Sequence, residues 1–139
     1  MMNKDIKNII KNARNVLVGK IPNPQSQIEQ ITVAMIYKFM NDMDKEAVKY
    51  GISKSFFKDD LSQYSWDKLM SVQLGNEARI NLYIEALEKI QLAKQIPDLF
   101  RQIFKNAYLP FKDGPTLSLF LKEIDKISYD NSENLGNAF

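Results

Sequence analysis

The chain has 139 residues, a formal net charge of +2, 45% hydrophobic and 26% charged residues, which predicts one globular domain and excludes extensive disorder. It contains no cysteine and no histidine, which excludes a disulfide scaffold, thiolate or imidazole metal sites, and His-based acid–base or Ser–His chemistry. The near-balanced total carries no global nucleic-acid signal, but residues 1–20 hold five Lys/Arg against one acid, and residues 128–139 hold two acids and no base.

In chain order, Ile6, Ile9, Ile10, Ala13, Val16 and Leu17 recur at helical spacing and predict a first helix over 4–18, with Asn3 as N-cap and Gly19 as stop. Asn23-Pro24 then reads as a cap followed by proline at the first helical position. It opens a second helix that runs into the low 40s or beyond, closed by Gly51. Its centre, "ITVAMIYKFM", is apolar almost all round, the pattern of a helix buried on most faces. Residues 52–75 are irregular, with Phe56, Phe57, Tyr64 and Trp66 among Ser, Asp and Lys, and a short helix over 66–71 capped by Ser65. Gly75-Asn76 reads as a stop and a new cap, and a third helix spans 77–94 with Ile80, Tyr83, Ile84, Leu87 and Ile90. Pro97 begins a fourth helix with Leu99, Phe100, Ile103 and Phe104 on one face. After the loop "AYLPFKDGP", Thr116 caps a fifth, striped by Leu117, Phe120, Leu121, Ile124 and Ile127. "SYDNSEN" is a linker, and "LGNAF" opens one more helix.

No hairpin signal and no internal repeat occurs. The expected fold class is all-α, a compact cluster of five to seven helices with short loops, with residues 1–130 as the helical domain and 131–139 as a linker and helix start. No run of about 18 apolar residues predicts a membrane span, and the N-terminus has no signal-peptide core, so a cytoplasmic location is expected.

Few motifs carry chemistry. No G-x-G occurs among the five glycines, so no nucleotide or S-adenosylmethionine loop is legible. "NPQS" at Asn23–Ser26 lacks the second proline and the aromatic of an adenine-methylating loop and reads as a helix start. The acid pairs Asp42/Asp44 and Asp59/Asp60 read as solvated surface rather than acid–base or cation sites. Trp66 reads as a plug that fixes a loop onto the core. Lys4, Lys7, Lys11 and Arg14 fall within about 80° of one another on the first helix, beside Asn8, Asn12 and Asn15. Such a row is an ordinary wet face or a track for phosphates, and it supplies the candidate DNA-binding residues. No catalytic and no metal-ligating residue is expected.

The order of pieces adds a resemblance. "IKNIIKNARNVLVG", the long apolar "IEQITVAMIYKFMNDMD", the aromatic loop with W-x-x-L at Trp66–Leu69, "LYIEALEKI", "PDLFRQIF", "LSLFLKEIDKISYD" and "LGNAF" follow in sequence. This succession resembles the N-terminal helical domain of the modification subunit of type I restriction–modification systems and related adenine-specific DNA methyltransferases. In that family a Leu-Gly-x-Ala-Tyr/Phe junction leads into the catalytic domain, so the resemblance implies a domain ending at the entry to a methyltransferase. It also implies a parent enzyme that methylates adenine N6 using S-adenosylmethionine, alongside specificity and restriction subunits, with the helical domain helping to enclose DNA. No cofactor falls within these residues. The alternative is a free-standing helical interaction module with an aromatic surface around Phe56, Phe57 and Trp66. An autonomous enzyme ranks behind both.

Overall fold

The computed structural model describes residues 2–128, with side chains from residue 5 onward. It contains six α-helices: α1 (Met2–Leu17), α2 (Pro24–Lys49), α3 (Trp66–Leu69), α4 (Asn76–Leu92), α5 (Asp98–Phe104) and α6 (Gly114–Ile124). A 3-10 turn, Asp59–Tyr64, precedes α3, and no strand occurs among the described residues. The fold is all-helical with short connections, as its periodicity predicts. The expected linker and helix start over 131–139, the junction "LGNAF" included, lie outside the described residues.

α2 organises the core. Ile31, Ala34, Tyr37 and Met40 are fully buried, which is what an all-round apolar centre requires. The Tyr37 ring is the hub of an aromatic cluster: Trp66 meets it edge-on at 5.4 Å, Tyr83 stacks at 6.0 Å, and Phe57 and Phe104 lie at 5.6 and 6.5 Å. Those separations suit offset and edge-to-face ring packing. The Tyr37 hydroxyl donates to the Tyr64 carbonyl, so the ring's polar end is satisfied in the interior. α1 lies against α6 and α2 through Ile6, Ile10, Ala13 and Leu17, all buried. The α6 stripe Leu117, Phe120, Leu121 and Ile124, continued by Ile127, is wholly buried. Trp66 is the plug its position suggests: it is 1% exposed, and its indole N–H donates to Asp125 at 2.7 Å.

Asn23 caps α2 by accepting from the Gln25 and Ser26 amides, and Ser65 caps α3 from the Lys68 amide. At the far end of α2, Gly51 takes φ +76°, the left-handed conformation that ends many helices. Elsewhere the caps differ from expectation. α1 begins at Met2, so Asn3 lies inside its first turn. α4 begins at Asn76, leaving Gly75 in the cap position with no side-chain bond, and the helix ends at Leu92. Asp113, not Thr116, caps α6: its carboxylate accepts from the Thr116 amide at 3.2 Å. The aspartate sits three residues before that amide, the reach a side-chain cap requires, whereas Thr116 is already inside the helix. Gly114 lets the start of α6 press against the start of α4, since a Cβ there would stand 2.8 Å from the Asn76 carbonyl oxygen. Leu99 points to solvent at 73% exposure, so the face of α5 that packs consists of Phe100, Ile103 and Phe104.

Two buried polar groups hold the irregular stretch between α2 and α4. Asp44, expected at the surface, is 2% exposed, and its carboxylate accepts from the amides of Ser55, Phe56 and Phe57 at 2.7, 3.1 and 2.8 Å. The chain folds back over α2 there, and the carboxylate is the acceptor its unpaired N–H groups need. Arg79, 7% exposed, donates to the carbonyls of Leu69, Ser71 and Leu74, to Ser118 Oγ and to Asn76 Oδ1. Its five acceptors are all neutral, and the planar fork ties the 69–74 turn to α4 and α6.

Candidate nucleic-acid interface

The α1 helix turns its apolar stripe inward and leaves Lys7, Lys11 and Arg14 exposed on one edge, with Asn8, Asn12 and Asn15 exposed beside them. The side chain of Lys4, fourth member of the row, lies outside the described residues. A helical rise of about 1.5 Å per residue separates Lys7, Lys11 and Arg14 by about 6 and 4.5 Å along the axis. The only acid of α1, Asp5, sits in its first turn.

The row borders an open hollow of about 370 Å³ between α1 and the start of α2, lined by Lys7, Lys11, Arg14, Asn15, Pro22 and Gln27 among others. Gln27 is 4% exposed and directs one end of the row: its amide nitrogen donates to the Ile21 carbonyl at 2.7 Å, and its amide oxygen accepts from Arg14 Nε at 3.4 Å. Arg14 therefore keeps its two terminal nitrogens for a ligand while its shaft is oriented. The amides of Gln25 and Ser26 at the start of α2 are occupied by Asn23, so an anion in this hollow would be held by side chains and not by a helix end.

Lys20, in the turn after α1, pairs with Asp113 at 3.2 Å. The Asp113 carboxyl is held below its ordinary value, first by the Thr116 amide and then by the Lys20 ammonium. This pair ties the end of α1 to the start of α6 beside the basic row. The sequence placed Lys20 in the basic N-terminus but contains no local signal for a partner 93 positions away.

Other polar groups are structural. Lys38 is 8% exposed, pairs with Asp42 at 2.9 Å and donates to the Ile127 carbonyl, while Asp44 is consumed by backbone amides. The Tyr64 hydroxyl donates to Glu85, and its pKa is pushed up to about 12, first by that bond and then by burial. No group of three or more Asp or Glu side chains able to hold a metal occurs among the described residues. No helix there is long and apolar enough to cross a membrane.

The aromatic surface of the alternative reading does not exist. Phe56, Phe57 and Trp66 are 6%, 2% and 1% exposed and belong to the core. Their polar neighbours in sequence, Ser55, Lys58 and Asp67, take the solvent positions around them. No protein-family model, curated protein or solved structure matches this chain.

Proposed function

We propose that this chain is the N-terminal helical accessory domain of a DNA methyltransferase of the type I restriction–modification kind, acting in the cytoplasm to hold DNA for a reaction performed elsewhere. One observation carries the DNA-facing part of the reading: Lys7, Lys11 and Arg14 stand exposed in a row on one helix edge, facing a hollow that contains no acid. The gaps of about 6 and 4.5 Å in the row are bridged by long flexible side chains, which can splay to reach successive phosphates of a strand. Such contacts position a duplex and carry no base sequence. The parent enzyme, its adenine-N6 methylation with S-adenosylmethionine, and its specificity and restriction subunits come from the order of sequence elements and form part of the same proposal. The lack of His, Cys and glycine-rich loops in these residues supports a positioning role for them.

Fluorescence anisotropy of a labelled duplex against the chain, across a salt series, tests it. Wild-type binding weakens steeply with salt. The charge-reversed K7E/K11E/R14E protein binds more weakly at low salt, and its log–log salt slope is shallower by about 2.7, or about 0.9 per lost phosphate contact. Unchanged binding at low salt would falsify the phosphate role.

A further inference from the structure

The basic hollow is the first of three that adjoin one another. Pro22 lines both it and a second hollow of about 220 Å³, which also contains Lys20, Asn23, Ser26, Glu29, Gln30 and Tyr108. Glu29, Gln30 and Tyr108 in turn line a third, of about 450 Å³, floored by Ile28, Val33 and Ile103 and edged by Lys105. The series passes from the α1 edge around the first turns of α2 to the loop after α5. Its lining carries Lys7, Lys11, Arg14, Lys20 and Lys105 against the single acid Glu29. The large hollow between the 3-10 turn and the end of α4 has the opposite character, with Asp59, Asp60 and Glu85 against Lys89 and Lys94.

Tyr108 stands where the second and third hollows meet. The residue is 69% exposed, yet its backbone is fixed: Gln30 donates to its carbonyl at 2.9 Å, and Gln91 accepts from the amide of Asn106, a residue held at φ +63°. An exposed residue on an anchored backbone, along a basic track, matches the two parts that single-strand binding uses: cations along the backbone and an aromatic face for a base. We infer that the three hollows take one nucleic-acid strand, with phosphates on Lys7, Lys11 and Arg14 and an unpaired base stacked on Tyr108. This inference rests on the phosphate role proposed for α1.

The test compares a labelled mixed-sequence single strand, a fully abasic strand of the same length, and the corresponding duplex, using wild type, Y108A, Y108F and K7E/K11E/R14E. Stacking of one base predicts that Y108A weakens single-strand binding by about 5- to 140-fold, while Y108F retains it. The salt slope of Y108A stays that of wild type, since no phosphate contact is lost. Duplex and abasic strands, which present no free base, respond to Y108A by less than about twofold. Tyr108 buries little surface, so Y108A should keep the fold, which circular dichroism checks. Wild-type single-strand affinity in Y108A, with K7E/K11E/R14E still impaired, overturns the stacking site and leaves the α1 phosphate role standing. An equal loss of duplex and single-strand binding in Y108A also overturns it. If K7E/K11E/R14E binds every probe as wild type does at low salt, both readings fall. Absence of salt-sensitive binding of any oligonucleotide by wild type at low salt overturns the nucleic-acid occupant.

Discussion

Asp44 carries the sharpest prediction about this fold. Its carboxylate accepts from three consecutive amides, those of Ser55, Phe56 and Phe57, with one oxygen serving the first two and the other serving the third. Asp44→Ala orphans all three. The Ser55 amide can reach water, but the Phe56 and Phe57 residues are buried, and each unsatisfied N–H there costs about 1–3 kcal/mol. A loss of about 4 kcal/mol follows. Asp44→Asn keeps an oxygen for Ser55 and Phe56 but turns an amide donor toward the Phe57 donor, so about half that loss is expected. An unfolding entropy of about 2.1 cal/mol/K per residue makes 1 kcal/mol worth about 3.5 °C in a chain of this length. Thermal unfolding followed by far-UV circular dichroism should therefore place Asp44→Ala about 14 °C and Asp44→Asn about 7 °C below wild type. The order matters as much as the size. If Asp44→Ala melts within about 3 °C of wild type, the three amides are not held by this carboxylate and the account of the 52–58 segment is wrong.

Arg79→Met should lower Tm by about 10 °C, because a charged donor fork is removed from three backbone carbonyls and Ser118. Arg79→Lys should recover less than half of that, since one ammonium cannot span the fork, and full recovery would contradict it. Tyr83 is fully buried and its hydroxyl has no hydrogen-bond partner among the described residues, so Tyr83→Phe should raise stability by about 1 kcal/mol; a clear decrease refutes the orphan assignment. Burial also raises the Tyr37 and Tyr83 pKa values, as the Glu85 bond and then burial raise that of Tyr64. A raised folded value contributes stability below about pH 10 that is lost as pH climbs through it, so alkaline unfolding and phenolate absorbance should appear together. Asp113 has the opposite sign: its depressed folded value contributes stability above about pH 4 that is lost as pH falls through that value. The stability gap between wild type and Asp113→Asn should therefore narrow below about pH 4, and a constant gap in denaturant titrations would count against the pairing.

What the sequence made legible was periodic or local. The stripes of α1, α2 and α6 are each a run of apolar residues at helical spacing, and Asn23, Ser65 and Gly51 act on amides or turns within a few positions of themselves. The exposure of Lys7, Lys11 and Arg14 followed from the same geometry. The misses involve residues whose environment is made by distant chain. Asp44 looks like any solvated acid until residues 55–57 fold over it, and Phe56 and Phe57 look like a surface patch until α5 and α2 cover them. Asp113 and Thr116 are both good capping residues three apart, and only the backbone decides which one stands outside the helix.

The same distinction separates the two halves of the candidate site. A cationic row on one helix is written in one stretch of sequence, because 3.6-residue periodicity sorts charges onto a face without help from the rest of the chain. Tyr108 is not: an exposed tyrosine in a loop signals nothing until Gln30, from α2, holds its carbonyl and the residue comes to line two of the hollows that begin at α1. Electrostatic attraction to phosphate needs only the row and tolerates imprecision, since it acts over a Debye length of about 8 Å at physiological salt. Base stacking needs the ring at van der Waals contact, and so needs the fold. Salt dependence and sensitivity to Tyr108 should therefore separate cleanly in the binding data, the first set by residues one helix brings together and the second by a junction of three chain segments.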